Sequence, residues 1–130
     1  MKKKGERNVG KFVMRKVATG WKFTLNAANG LSIAASEVYN TRAACLRGME
    51  SVRRSAPVAA LEDLTGEKKA GHSNPKFEMY RDRAGEYRFR LRARNGAIIA
   101  VSDGYGTRSA CENGVESVRI NAADGEITEE

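Results

Sequence analysis

The feature that most constrains the fold of this chain is an internal repeat. Residues 23–30 match residues 89–96 in their Phe, Leu, Ala, Asn and Gly positions at an offset of 66, and Glu-Ser-Val-Arg at 50–53 recurs at 116–119. Upstream of these segments the offset is 65, because Glu86 adds one residue to the second copy. So many matches in one order indicate a duplication, and any fold must accommodate two equivalent units.

The duplication sets the domain organisation that we predict. The first repeat covers residues 10–65, a polar and Gly-rich linker covers 66–74, and the second repeat covers 75–130. Residues 1–9 form a basic head that we expect to be disordered. One repeat of about 50 residues is too small to bury much core by itself. We therefore expect the two repeats to form a single compact unit.

Each repeat predicts the element order β-β-β-α-β. Alternating apolar residues predict strands at 12–17, 21–28 and 31–36, and at 77–82, 87–94 and 97–102 in the second copy. Asn-Gly at 29–30 and 95–96 predicts hairpins with type I′ turns. Short final strands are expected within 58–64 and 126–128.

The helix of each repeat is predicted from its cap and its apolar stripe. Thr41 and Thr107 are suitable N-caps. In the first copy the stripe consists of Ala44, Cys45, Gly48, Met49 and Val52. A glycine in the middle of both stripes indicates a close approach to the helix backbone, which we expect to come from the sheet.

Three strands and one helix leave an open sheet edge, which natural proteins pair or cover. Two repeats related by a pseudo-two-fold axis meet this need. We therefore predict an α+β fold in which one antiparallel sheet is formed by both repeats and both helices pack on one face of it.

The second copy also resembles a known family. Its segments Phe77-Glu78-Met79-Tyr80, Gly85-Glu86-Tyr87-Arg88-Phe89-Arg90-Leu91 and Gly114-Val115-Glu116-Ser117-Val118 are similar to the YegP-like domain, a domain of unknown function. The first copy departs mildly, with Trp21 in place of Tyr87. The resemblance implies tandem β-β-β-α-β units, or homodimers of single units, with C-terminal strands exchanged between units. It implies no activity.

Composition excludes several classes of protein. The formal charge is +7, yet residues 1–65 contain 12 Lys and Arg against 5 Asp and Glu, whereas residues 66–130 contain 11 of each. No run approaches the roughly 18 apolar residues that a membrane helix needs. The basic start lacks the hydrophobic stretch of a secretory signal, and two cysteines make no disulfide framework. We expect a soluble, cytoplasmic protein without membrane association.

Nothing in the sequence predicts a catalytic, cofactor or metal site. The single histidine, His72, lies in the linker, and Cys45 and Cys111 lie on the apolar helix stripes, where cysteine is usually buried. Glu50 and Glu116 have arginines at helical spacing and are expected to pair with them. We expect a non-enzymatic protein.

The strongest candidate for binding is a row of arginines. Arg88, Arg90, Arg92 and Arg94 alternate with apolar residues, so on a strand they project from one face at intervals of about 6.6–6.8 Å. This spacing suits phosphates of a single-stranded nucleic acid or another polyanion. Lys22 and Arg15 would extend the site. The alternative is that the row pairs with Glu78, Asp82 and Glu86 and only stabilises the sheet.

A role in protein–protein interaction is the competing hypothesis. Leu31, Val38 and Leu46 are the apolar residues that the core pattern explains least. We expect a monomer, with a homodimer as the alternative.

Overall fold

The computed structural model describes residues 10–66 and 71–130. The predicted head at 1–9 and residues 67–70 of the predicted linker lie outside this range. The first repeat contains β1 (Lys11–Val17), β2 (Gly20–Asn26), β3 (Ser32–Ala35), α1 (Arg42–Ser55) and β4 (Ala60–Asp63). The second contains β5 (Lys76–Arg81), β6 (Tyr87–Arg92), β7 (Ile98–Val101), α2 (Arg108–Ala123) and β8 (Glu126–Glu129). The predicted element order is confirmed in both copies.

All eight strands form one sheet in the order β4-β5-β6-β7-β3-β2-β1-β8. The α+β fold predicted from the duplication is confirmed. The sheet is mixed rather than wholly antiparallel, because β4 runs parallel to β5 and β8 runs parallel to β1. Parallel neighbours need a long connection, and the segment between Asp63 and Lys76 supplies one for β4 and β5.

The two edge strands are exchanged between the repeats. β4 belongs to the first repeat and pairs with the second, whereas β8 belongs to the second and pairs with the first. The first residue of each helix follows the Thr N-cap and forms an ion pair with the edge strand that the other repeat contributes. Arg42 contacts Glu129 at 2.6 Å, and Arg108 contacts Asp63 at 3.3 Å. These two ion pairs are equivalent under the pseudo-two-fold axis.

The Asn-Gly hairpins differ from the predicted type I′ turns. Both central residues of that turn need a positive φ, but of the two only the glycine has one, 89° at Gly30 and 86° at Gly96. The amide of Gly30 donates to the carbonyl of Ala27, and the amide of Ala27 donates to the carbonyl of Leu31. This is a three-residue loop closed by a left-handed glycine.

The core lies between the sheet and the two helices. At alternate positions of the first two strands of each repeat, phenylalanine and methionine side chains point into the core and are fully buried: Phe12, Met14, Phe23, Phe77, Met79 and Phe89.

Within the described residues, neither helix has the length and apolar character that a membrane span requires.

The helix glycines accommodate a tyrosine. Tyr39 stacks on Phe23 with ring centroids 6.4 Å apart, and a Cβ at Gly48 would overlap its hydroxyl group. Tyr105 and Gly114 repeat the arrangement. The close approach predicted at this position is present, but the group that approaches is a tyrosine ring and not the sheet backbone.

Candidate polyanion-binding face

The candidate site lies on the face of the sheet opposite the helices, which we call the open face. On β6, Phe89 and Leu91 point into the core and are fully buried. The alternation of a strand therefore places Arg88, Arg90 and Arg92 on the open face. This part of the predicted arginine row is present.

A single buried carboxylate holds two of these arginines. The Nε atoms of Arg90 and Arg92 each donate to Oε1 of Glu78 at 2.7 Å. Lys76 lies between Glu78 and Glu62, with its Nζ 3.5 Å and 3.1 Å from their carboxylates. Glu62 also accepts from the backbone amide of His72 at 2.8 Å. We call Glu62, Lys76, Glu78, Arg90 and Arg92 the ionic cluster.

Arg88 is held separately at the other end of β6. Its Nε donates to Asp82 at 2.7 Å and its Nη1 to the carbonyl of Ser102 at 3.2 Å. Asp82 also accepts from the backbone amides of Ala84 and Glu86, so the carboxylate that fixes Arg88 closes the β5–β6 turn as well. The pairing with Glu78 and Asp82 that the alternative to ligand binding requires is thus present. Among the described residues, the Glu86 side chain makes no ion pair with the arginine row.

The carboxylates of the ionic cluster lie deeper than the guanidinium groups. The side chains of Glu62 and Glu78 are 6% and 8% exposed, whereas those of Arg90 and Arg92 are 27% and 28% exposed. Arg90 donates a hydrogen bond through Nε, and its guanidinium carbon lies 4.6 Å from the centre of the Tyr80 ring. Its terminal nitrogens have no hydrogen-bond partner among the described residues, so they remain available at the surface.

The ion pairs lower the pKa values of the carboxyl groups. Burial by itself would raise the pKa of Glu78, but the hydrogen bonds from Arg90 and Arg92 outweigh it and hold the pKa at about 2. The backbone amide of His72, followed by Lys76, lowers the pKa of Glu62. These groups are charged at neutral pH, so the arginines are fixed in place there.

Arg94 does not join the other three arginines. β6 ends at Arg92, and Arg94 lies in the turn that follows, where the strand alternation no longer applies. It lines a cleft beside Arg54 of α1. The prediction of four arginines in one row extended the strand too far.

The first repeat presents a different open face. Arg15 and Lys22 are direct cross-strand neighbours there. Within residues 10–66 and 71–130 neither has an acidic partner in ion-pair distance. The positions equivalent to Glu78 and Arg90 are Val13 and Thr24, so the ionic cluster occurs in the second repeat and not in the first.

The remaining candidates are the two cysteines and the glutamates of the helices. Cys45 and Cys111 are fully buried, and burial raises the pKa of the Cys111 thiol to about 11, which disfavours the nucleophilic thiolate at neutral pH. Glu50 and Glu116 pair with Arg53 and Arg119 as predicted. Across the described ranges, no three His, Cys, Asp or Glu side chains group as metal ligands.

Two members of the ionic cluster were not predicted from the sequence. Glu62 comes from the exchanged strand β4, and Lys76 starts β5. One feature of the sequence could have indicated Glu62: the equivalent residue of the second repeat is Thr128, so the two repeats differ at this position. Of the unexplained apolar residues, Leu31 and Val38 are exposed, whereas Leu46 packs against the core.

Comparison with known proteins relates both halves to one family. The profile of a domain of unknown function, DUF1508, matches residues 17–63 and again residues 82–129. A UPF0339 protein of Methanosarcina acetivorans is 58% identical over 52 residues, which cover 40% of this chain and 90% of that protein. A UPF0339 protein of Pseudomonas aeruginosa is 30% identical over 121 residues, which cover 92% of this chain and 96% of that protein.

A solved structure shares the fold over nearly the full length. The solution NMR structure of the protein of unknown function yegP from E. coli has a TM-score of 0.77 and 27% identity, covering 94% of this chain and 93% of that one. The family resemblance predicted from the residues is thereby confirmed.

Proposed function

This chain belongs to the DUF1508 family, a domain of unknown function, and from that premise we propose that it is a non-enzymatic module that binds single-stranded nucleic acid on its open face. The ionic cluster and Arg88 form the centre of the proposed site. Arg15 and Lys22 of the first repeat extend it.

The observation that carries the proposal is that the carboxylate of Glu78 is buried more deeply than the guanidinium groups that pair with it. Glu78 is 8% exposed beneath Arg90 and Arg92, which are more than three times as exposed. An arginine that is already fixed by a carboxylate loses little rotamer entropy when a ligand binds. The cluster therefore presents ordered guanidinium donors to a phosphate without further ordering of the protein.

The surrounding surface suits an extended strand of nucleotides. Arg90 lies over the Tyr80 ring, so a base can stack on a guanidinium plane that is supported from below. Between the two basic areas lie β7 and β3, which present Val101 and Ala35 to the open face. Three strand spacings, about 14 Å, separate β6 from β2. A flexible single strand can span this smooth gap, whereas a rigid duplex fits a twisted sheet face less well.

The test is a salt-dependent binding assay with a labelled oligothymidine. The triple variant E78V/R90T/R92N gives the second repeat the residues of the first, namely Val13, Thr24 and Asn26, which this fold already accepts. We expect the wild type to bind at low salt. In the variant, the slope of log K against log salt should be shallower by about 1.4, because two phosphate contacts are lost.

The matched control is Arg47→Ala, which removes a charge from an exposed position on α1. It should leave the slope unchanged. If the wild type does not bind at low salt, or if R47A weakens binding as much as the triple variant does, the proposal is wrong. In that case the protein-interaction hypothesis takes its place.

A further inference from the structure

We propose a second site, independent of the open face: the cleft lined by Arg54 and Arg94 binds a small organic phosphomonoester of about the size of a mononucleotide. Its cavity volume is about 520 Å³. Ligand cavities in proteins usually have volumes of about 300–1,000 Å³. The cleft therefore has room for such a molecule.

Three parts of the chain form the cleft. They are the last turns of α1 with the residue Val58 beyond it, Pro75 just before β5, and the turn that follows β6. The polar side chains of its wall include Arg54 and Arg94, and the apolar ones include Val58 and Pro75. Polar and apolar groups thus share the wall.

The two guanidinium groups of the cleft are free to bind. Neither the Arg54 side chain nor the Arg94 side chain makes a hydrogen bond or an ion pair with any residue of the described ranges 10–66 and 71–130, and both residues are exposed. Arg90 and Arg92, by contrast, are each held by a carboxylate. Two cations that line one cleft favour an anionic ligand there.

The other half of the molecule provides an internal control. The positions equivalent to Arg54 and Arg94 are Ile120 and Ala28, and the position equivalent to Pro75 is Gly10. There the side chain of Asn121 packs so close to Gly10 that a Cβ on the glycine would overlap it. The fold thus accepts apolar residues at both arginine positions, so neither arginine is required by the architecture.

The lining defines the class of ligand. A phosphomonoester carries nearly two negative charges at pH 7, which match two guanidinium groups, and arginine binds phosphate oxygens in pairs. Ser51 and Asn95 offer further hydrogen-bond donors beside them. Val58, Pro75 and Ala93 provide apolar contact for the organic part. Inorganic phosphate would use only the charged half of the site.

The experiment is an NMR titration of the full chain with adenosine 5′-monophosphate, with adenosine and inorganic phosphate as separate arms. We expect the monophosphate to shift backbone amides at 51–58 and 93–96, adenosine to shift none, and inorganic phosphate to bind more weakly. The variant R54I/R94A carries the residues of the other half and should weaken binding on the order of tenfold for each guanidinium lost.

Two control variants show whether the monophosphate binds in this cleft or elsewhere on the protein. I120A changes the equivalent position in the other half and should bind the monophosphate as the wild type does. R90T changes an open-face side chain that contacts Glu78 and Tyr80. It should also keep this affinity, so the two proposed sites are tested separately. Arg54 also complements the dipole at the end of α1. If R54I/R94A lowers Tm but binds the monophosphate normally, or if inorganic phosphate binds equally well, the proposal is overturned.

Discussion

Ala35 and Val101 occupy equivalent positions of the two repeats and are cross-strand partners of each other. A residue pairs with its own equivalent only where it adjoins the symmetry axis, so the pseudo-two-fold axis passes between these two residues. They form the register pair between β3 and β7, and the sheet is continuous through this seam. The seam therefore joins the two repeats in the same way that a two-fold interface joins two subunits.

A disulfide across this seam should form within one chain. In A35C/V101C the Cα atoms of an antiparallel pair are within disulfide reach. We expect mild oxidation to give a monomer that migrates faster on a non-reducing gel. Closing so long a loop should raise the free energy of unfolding by about 4 kcal/mol.

The wild type is the control for the disulfide, because its two native cysteines are fully buried and should not react. A covalent dimer of A35C/V101C as the main oxidation product would show that the seam forms between chains.

Gly48→Ala should destabilise the protein although alanine is the better helix former. The gain in helix propensity is about 1 kcal/mol, but the new methyl group overlaps the ring and hydroxyl of Tyr39. We expect a net loss of about 1–2 kcal/mol in the free energy of unfolding, measured by urea denaturation.

Removal of the tyrosine hydroxyl tests the cause of that loss. Y39F should restore part of the stability of G48A. Y105F should likewise restore part of the stability of G114A, because the tyrosine hydroxyl is the atom nearest to the new methyl group at both positions. If neither hydroxyl removal restores stability, the assignment of the loss to the tyrosine hydroxyl is wrong.

Glu78→Val should lower the free energy of unfolding by about 2 kcal/mol. The substitution leaves Arg90, Arg92 and Lys76 close together, with Glu62 as the remaining carboxylate of the ionic cluster. The value is smaller than for a fully buried pair because the arginines are partly exposed to water. A double-mutant cycle with R90T checks it: E78V/R90T should be more stable than the sum of the two single losses predicts.

Stability should fall in acid through Glu78. Its pKa is about 2 in the folded protein and near 4.5 without its partners, so the unfolded chain takes up the proton first. The stabilisation is complete above about pH 5 and is lost as the pH falls towards 2, for a total on the order of 3 kcal/mol. Unfolding followed from pH 7 to pH 2 should show a shallower decline for E78Q, whose side chain does not titrate.

The fold could be predicted from the sequence because each local sequence pattern occurs twice. The alternation around Phe23 recurs around Phe89, and Thr41 recurs as Thr107, so a pattern that arose by chance can be recognised by its absence from the other copy. Repetition carries no information about which strand an edge strand joins. The parallel pairing of β4 with β5 depends on the path of the chain between repeats, and the local pattern of Leu61 or Glu62 does not reveal it.

The site could be predicted only in part for a related reason. The alternation of arginines with apolar residues along the sequence was enough to place Arg88, Arg90 and Arg92 on one face of the sheet. Arg94 continues the same alternation in the sequence, but the hairpin loop has already begun there, and periodicity does not mark where a strand ends. Glu62 reaches the cluster only through the strand exchange, so no motif near β6 indicates it.

The exchange of edge strands also governs the order in which the protein can be completed during synthesis. When the first repeat has left the ribosome, β1 still has an unpaired edge, because its neighbour β8 begins at Glu126. β4 is made early but has no partner until β5 follows. Neither half can finish its sheet before the other is present, so the native sheet is complete only after β8 has been made.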